Sequence, residues 1–411
     1  MNRRNFIKAA IVSVTTLITG CGSKNILPNN IDVKYLRQIV TKNLLTSRCI
    51  MWQVDNQLTN PAVEIRSAVD GTTKIFPAID STFTDDGQKN FQYTTQIDGL
   101  DAVTAYEYRI IDGDAATDWQ TLKNSSTEKF KAIIFPDSQC GNGYDTWGLV
   151  ARSAFERNPD AKFFVNVGDI VDNGEDHLQW EDWLNQVKFF LPQIPFVPVM
   201  GNHETYSRDW KVRQPVAYLN YFSPPDNGLE KFSRRFYSFD YGAAHFVILD
   251  SQWAELGEEI IDVQKNWLRE DFAKTDKPWK IIFIHKDVLQ YRINGRPERL
   301  EGFSDVGEIF MPEFESLGAD VVFTAHLHTY RNRGRLKNFR DDITGPLYIL
   351  TGLSGNVRYS NLWINHALDK FVAPQPETDN YLTIEVDDKN FSVKCFLPDG
   401  TLIDETTLQK A

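Results

Sequence analysis

From residue 130 onward the chain repeats one grammar: a short apolar run, a polar turn, then in several places an amphipathic stretch. The runs are KAIIF (131–135), KFFVNV (162–167), PFVPVM (195–200), HFVILD (245–250), KIIFIH (280–285), DVVFTA (320–325) and LYILTG (347–352). Runs this short, rich in Val, Ile and Phe, read as strands buried on both faces. Between them lie HLQWEDWLNQVKFFL (177–191), IIDVQKNWLREDF (260–272) and VGEIFMPEFESLG (306–318), whose apolar residues recur at helical spacing. Strands alternating with helices require helices packed over a central sheet, an α/β or α/β/β/α layering across residues 130–365.

The residues at the end of each run narrow the chemistry. The first run ends in Asp137, Ser138 and Gln139, the second in Gly168, Asp169 and, three residues on, Asp172. The third delivers Gly201, Asn202, His203 and Glu204; two later ones end in His285 and in His326 and His328. In open α/β sheets the C-terminal strand ends are where ligands bind. Carboxylates, amides and imidazoles converging on one sheet edge are costly to bury without a cation. Mixed nitrogen and oxygen donors suit Zn, Mn or Fe. Six or seven donors exceed one tetrahedral ion and fit two ions sharing a bridging carboxylate, a pairing suited to phosphoryl transfer.

This ordered set resembles the calcineurin-like metallophosphoesterase superfamily: D-x-H, G-D-x-x-D, G-N-H-[ED], a lone strand-end His, and G-H-x-H. The layout is similar to purple acid phosphatases and their bacterial relatives. The resemblance implies an α/β/β/α fold and hydrolysis of a small phosphate ester by metal-activated hydroxide, with a phosphomonoester favoured. It implies two divalent or trivalent transition metal ions, Zn, Mn or Fe. Asp169 would bridge them, Asp137 and His328 would belong to the first, and Asn202, His285 and His326 to the second. His203 would act on the leaving group, Asp172 would orient its neighbours, and Asn202, His203 and Tyr330 would contact substrate. Three departures stand out. Gln139 replaces the histidine of D-x-H and is expected to ligate through its carbonyl oxygen. Asp172 stands where purple enzymes carry an iron-ligating Tyr, so no purple colour is expected. Ala325 replaces the glycine of G-H-x-H, small for small.

The rest of the chain frames this region. Residues 1–20, MNRRNFIKAAIVSVTTLITG, contain Arg3-Arg4 with Phe6, Ile7 and Lys8, then an apolar stretch too short to span a bilayer. They look like a twin-arginine export signal, and LITGC resembles a lipobox with Cys21 as the lipidated residue. The chain is thus expected in the cell envelope or periplasm, held to a membrane through Cys21, with residues 21–30 as linker. Losing Arg3, Arg4 and Lys8 would deepen the net charge from −12 to −15, which repels nucleic acid.

Residues 31–125 alternate apolar and polar in CIMWQV, VEIRSA, NFQYTTQI and AYEYRII, with Asp-Gly at 70–71 and 112–113. They read as an all-β sandwich preceding the α/β region. Leu100 followed by Tyr106 and Tyr108 resembles the tyrosine-corner strand of a fibronectin type III domain, with Trp52 in the core. Residues 366–411 read as a C-terminal β extension, a meander from Asn380. Cys49, Cys140 and Cys395 are widely spaced and read as isolated thiols, although one disulfide is open to them. His177 reads as an exposed surface residue and His245 as a structural histidine; Tyr330 and Arg331 are candidates for the pocket wall. Two other functions stay open: a phosphodiesterase acting on nucleotides or lipid headgroups, and a cell-surface binding protein with a degenerate phosphoesterase domain.

Overall fold

The computed structural model describes residues 30–123 and 129–410. The proposed export signal and Cys21 lie outside these residues.

Two sheets face each other. The first runs in the order Leu402–Gln409, Asn390–Phe396, Tyr381–Val386, Phe130–Phe135, Phe164–Asn166, Phe196–Pro198, Lys34–Ile39, Arg48–Val54, Gln88–Ile97 and Ile79–Asp80. The second runs Tyr237–Tyr241, Ala244–Leu249, Trp279–Ile284, Val321–Thr324, Leu347–Thr351, Tyr330–Lys337 and Arg340–Asp341. Aromatic rings fill the space between them: Phe130 meets Tyr241 edge-on at 4.9 Å and Phe163 meets Phe246 at 5.3 Å. Helices Asp145–Arg157 and His177–Val187 cover the first sheet, with Trp147 stacked on Trp183 at 5.2 Å. Helices Glu259–Phe272 and Asp305–Leu317 cover the second. The last is capped at both ends, by the Ser304 hydroxyl accepting from Gly307 N–H at 3.2 Å and by left-handed Gly318. The architecture is α/β/β/α, as the alternating runs require. Helix Asp145–Arg157 was not legible, because Gly148 interrupts its first turns.

The N-terminal β region pairs strands Arg48–Val54 and Gln88–Ile97 against a second small sheet containing Pro61–Ser67 and Tyr106–Asp112. Its core holds fully buried Trp52 stacked on Tyr93 at 5.7 Å. The Tyr106 hydroxyl accepts from the Asp101 N–H at 3.3 Å, tying the strand to the backbone upstream.

The three segments read from sequence share one sheet. Lys34–Ile39 pairs in parallel with Phe196–Pro198 through Ile39 and Phe196. The Gln38 amide and the Tyr108 hydroxyl both donate to the Pro192 carbonyl, at 2.6 and 2.8 Å. Fully buried Arg37 donates to the Tyr221 carbonyl at 2.9 Å. The tail is equally integral: Tyr381–Val386 pairs antiparallel with Phe130–Phe135 over five residue pairs, so it completes the first sheet and is no appendage. Cys49, Cys140 and Cys395 are buried free thiols.

His245 is held between the carboxylates of Asp240 and Asp271 at 2.7 and 2.8 Å, a structural clamp. His177 departs from the surface role expected of it. Its Nδ1 lies 2.7 Å from the Asp86 carboxylate, because a hairpin of the N-terminal region reaches across to it.

Candidate metal centre

Each strand end brings its donor in through a specific backbone device. Gly168 (φ +94°) and Asp169 (φ +47°) form the turn after Phe164–Asn166. A Cβ on Gly168 would lie 2.5 Å from His285 Nδ1, so only glycine lets these two loops meet. His326 and His328 also sit at positive φ, +77° and +53°. Left-handed backbone at three non-glycine residues is strain of the kind that gathers at functional sites.

The donors assemble into two groups that share one carboxylate. Ligand atoms of Asp137, Asp169 and His328 lie within 4.8 Å of one another, and so do those of Asp169, His285 and His326. Asn202 Oδ1 joins the second group, 3.2 Å from His285 Nε2. The His285 Nδ1–H donates to the Val167 carbonyl at 2.8 Å, and the His328 Nδ1–H to that of Val357 at 2.6 Å. Each bond fixes a tautomer and frees Nε2 for coordination.

The fit to cations is visible in the atoms left unpaired. Gln139 Oε1 and His326 Nδ1 are buried atoms without a hydrogen-bond partner, and Asp169 Oδ2 faces His285 Nε2 at 3.2 Å. Burying unpaired polar atoms is expensive, and cations would satisfy them. The Gln139 N–H donates to the Asp169 carbonyl at 3.0 Å, which seats it at the same centre. Its amide nitrogen lies 3.4 Å from His203 Nε2. The residues present therefore fit a pair of N/O-liganded ions.

Electrostatics agree. Burial raises the Asp137 carboxyl to about 8, with Asp169 adding to the effect. Burial alone would also raise Asp169, yet the His285 and His203 charges outweigh it and hold its carboxyl below the usual range. Burial would lower His285, but Asp169 lifts it to about 9. Burial, reinforced by His285, pushes His326 down to about 3, and burial pushes His328 to about 4. Those two imidazoles are neutral, the ligating form, and a cation entering beside His285 must displace its proton.

Around this centre stand the supports. The His203 Nδ1–H donates to the Asp172 carbonyl at 2.6 Å, and the Asp172 carboxylate is 3.5 Å from the same nitrogen. Asp172 thus positions His203 chiefly through its backbone. Glu204, which sequence reasoning left within a motif and gave no role, anchors both loops. Its carboxylate accepts from the N–H groups of Asp169, Ile170, Val171 and Gly201 at 3.1, 2.8, 3.3 and 2.6 Å. Its only signal was an acid immediately after His203.

Tyr330 corrects the expectation placed on it. It is 2% exposed and donates to Asp404 of the tail at 2.7 Å, so its hydroxyl is committed within the core. Arg331 is likewise buried, donating to Asp369 at 2.6 Å. Beside it, fully buried Arg333 donates to Asp287 at 2.6 Å, and the other Asp287 oxygen accepts from the Thr324 hydroxyl at 2.6 Å. Asp287 lies two residues after His285, and Thr324 two residues before His326. This ion network ties the histidine-bearing strand ends together.

Comparison with known proteins places these observations. Residues 115–330 match the family described as calcineurin-like phosphoesterase, and residues 35–132 match the purple acid phosphatase N-terminal domain. Purple acid phosphatase 15 of Arabidopsis thaliana is 29% identical over 315 residues, which are 69% of this chain and 57% of that protein. Purple acid phosphatase 1 of Ipomoea batatas is 25% identical over 296 residues, 65% of this chain and 61% of that one. The chain spans little more than half the length of these curated relatives. Among solved structures, purple acid phosphatase PPD1 from yellow lupin (Lupinus luteus) seeds superposes with a TM-score of 0.77 at 18% identity, covering 92% of this chain and 74% of that one. A structure of PhoD superposes with a TM-score of 0.65 at 13% identity, covering 91% and 90%. These two share the fold. With its family match spanning more than half of the 411 residues, this chain belongs to the calcineurin-like phosphoesterases.

Proposed function

We propose that the chain is a binuclear metal-dependent phosphoesterase that hydrolyses small phosphate esters, monoesters in preference. The observation that carries this reading is the pair of donor groups sharing Asp169, with His203 at their edge. Asp137, Gln139 and His328 would hold one ion, Asn202, His285 and His326 the other, and Asp169 both; Zn, Mn or Fe suits such donors. When bound, the two cations supply positive charge for phosphate oxygens and a water acidified enough to serve as nucleophile.

The chain's own residues do the rest. With Nδ1 committed to the Asp172 carbonyl, His203 presents Nε2 as its titrating atom. There it holds the proton that the leaving oxygen needs. Its backbone N–H donates to Asp169 Oδ1 at 3.0 Å, which locks the spacing between proton donor and shared carboxylate. Gln139 links the two halves, its amide nitrogen near His203 and its buried oxygen free for a cation. The exchange of His for Gln at this position replaces a nitrogen donor with a weaker oxygen donor. With Asp172 in place of the iron-binding Tyr, the loaded protein is expected to lack the purple colour.

Elemental analysis of the purified protein tests this, beside hydrolysis of an aryl phosphate monoester and a diaryl phosphate before and after chelation. Two ions per chain and chelator-sensitive monoester hydrolysis are the expected result. Gln139→His should tighten the first ion, because an imidazole nitrogen is the stronger donor to such metals. Metal-independent hydrolysis, or no transition metal in either protein, would overturn the reading.

We also infer export and lipid anchoring through Cys21, supported by Arg3-Arg4 and LITGC in a segment outside the described residues. Cys21→Ser expressed in a bacterial host should move the protein from the membrane fraction to the soluble one. Unchanged membrane retention would sink the anchor.

A further inference from the structure

Beside His203 the chain exposes a tryptophan that no packing explains. Trp210 is 57% exposed and stands at φ +59°, a left-handed backbone that a bulky residue rarely adopts. Its ring lies 5.8 Å from the His203 ring, nearly perpendicular, and 6.0 Å from that of Tyr206. At the same donor cluster Tyr359 stacks on His328 at 4.6 Å.

The loop carrying Trp210 is built to hold it there. Trp210 N–H donates to the Ser207 carbonyl and Ser207 N–H to the Lys211 carbonyl, both at 2.8 Å. Two acids of the N-terminal region grip the loop from outside. Asp85 takes a bidentate pair from Arg213 at 2.5 and 3.0 Å, and Asp86 accepts from Arg208 at 3.2 Å. Those contacts also neutralise the loop's arginines. Lys286, whose charge is felt at His326, is committed to both Glu255 oxygens at 2.8 Å. The rim offers ring faces to the remainder of a substrate, with these cations already engaged.

Resting on the phosphoesterase reading, we propose that Trp210 and Tyr206 form a stacking wall for a planar aromatic leaving group, and that the site selects aryl or nucleoside phosphates over esters of small aliphatic alcohols. The strained backbone and the grip of Asp85 and Asp86 hold the wall open for such a ring.

The test is calorimetric binding of phenylphosphonate and methylphosphonate to the metal-loaded full chain, with hydrolysis of phenyl phosphate, a nucleoside 5′-monophosphate and glycerol phosphate measured alongside. Wild type should bind the phenyl compound about tenfold more tightly than the methyl one, the scale of a single base–aromatic stack. Trp210→Gly, which suits the left-handed backbone, should keep or raise Tm while the preference ratio falls to about one; Trp210→Phe should restore part of it. Asp85→Ala with Asp86→Ala should lower the ratio with Trp210 intact. A phenyl-to-methyl ratio near one in wild type, or an unchanged ratio in Trp210→Gly, would overturn the wall. Selective phosphonate binding without hydrolysis of any ester would uphold the wall and sink the phosphoesterase reading. Tighter binding of a nucleoside 5′-phosphonate than of phenylphosphonate would identify a nucleobase as the natural ring, and the reverse order a simple aryl group.

Discussion

Asp169→Asn is expected to strip at least one ion from the protein and lower kcat/KM for an aryl phosphate by about a thousandfold or more. The size reflects the role: a carboxylate shared by both donor groups contributes to both cations, and such cations contribute several kcal/mol of transition-state stabilisation, with each ~1.4 kcal/mol a factor of ten. The fold should survive the change. Asp169 Oδ1 accepts from the His203 N–H, and an amide oxygen accepts equally well. Elemental analysis, circular dichroism and kinetics on one preparation decide the matter. A folded variant retaining two ions and wild-type kcat/KM would remove Asp169 from the shared position.

The second large effect is on stability. Arg333→Met leaves Asp287 buried without its cation, and losing one partner of a buried pair costs about 3–5 kcal/mol. The double variant Arg333→Met with Asp287→Leu should recover most of that loss, because both desolvation penalties disappear together. Denaturant unfolding of the four proteins in this cycle, all metal-free, measures the coupling. The single variant should also bind metal more weakly, since Asp287 and Thr324 brace the segments bearing His285 and His326. A loss below about 1 kcal/mol in Arg333→Met would show that the buried network adds nothing to the fold.

Legibility in the sequence depended on range. Strands such as Trp279–Ile284 and Val321–Thr324 announce themselves through local composition, and their donor histidines lie one and two residues further on. The ordered donors from Asp137 to His328 were therefore readable without coordinates. Tyr330 was misjudged because spacing alone cannot say which side of strand Tyr330–Lys337 turns toward the tail. The Arg333–Asp287 pair joins residues 46 apart, and Asp85–Arg213 joins residues 128 apart. Periodicity carries no trace of partners at such distances. Nor could it show that strand Lys34–Ile39, counted with the sandwich, lies beside Phe196–Pro198.

Synthesis delivers Lys34–Ile39 long before its parallel neighbour Phe196–Pro198, and Phe130–Phe135 long before Tyr381–Val386. Pairings between such remote segments pay loop-closure entropy before any contact rewards them, so they form late. Until Tyr381–Val386 emerges from the ribosome, Phe130–Phe135 keeps an open, apolar edge, a template for wrong partners. The aggregation-prone species is accordingly a nascent chain that still lacks Tyr381–Val386. A chaperone guarding it would shield that edge until Tyr381–Val386 closes the sheet.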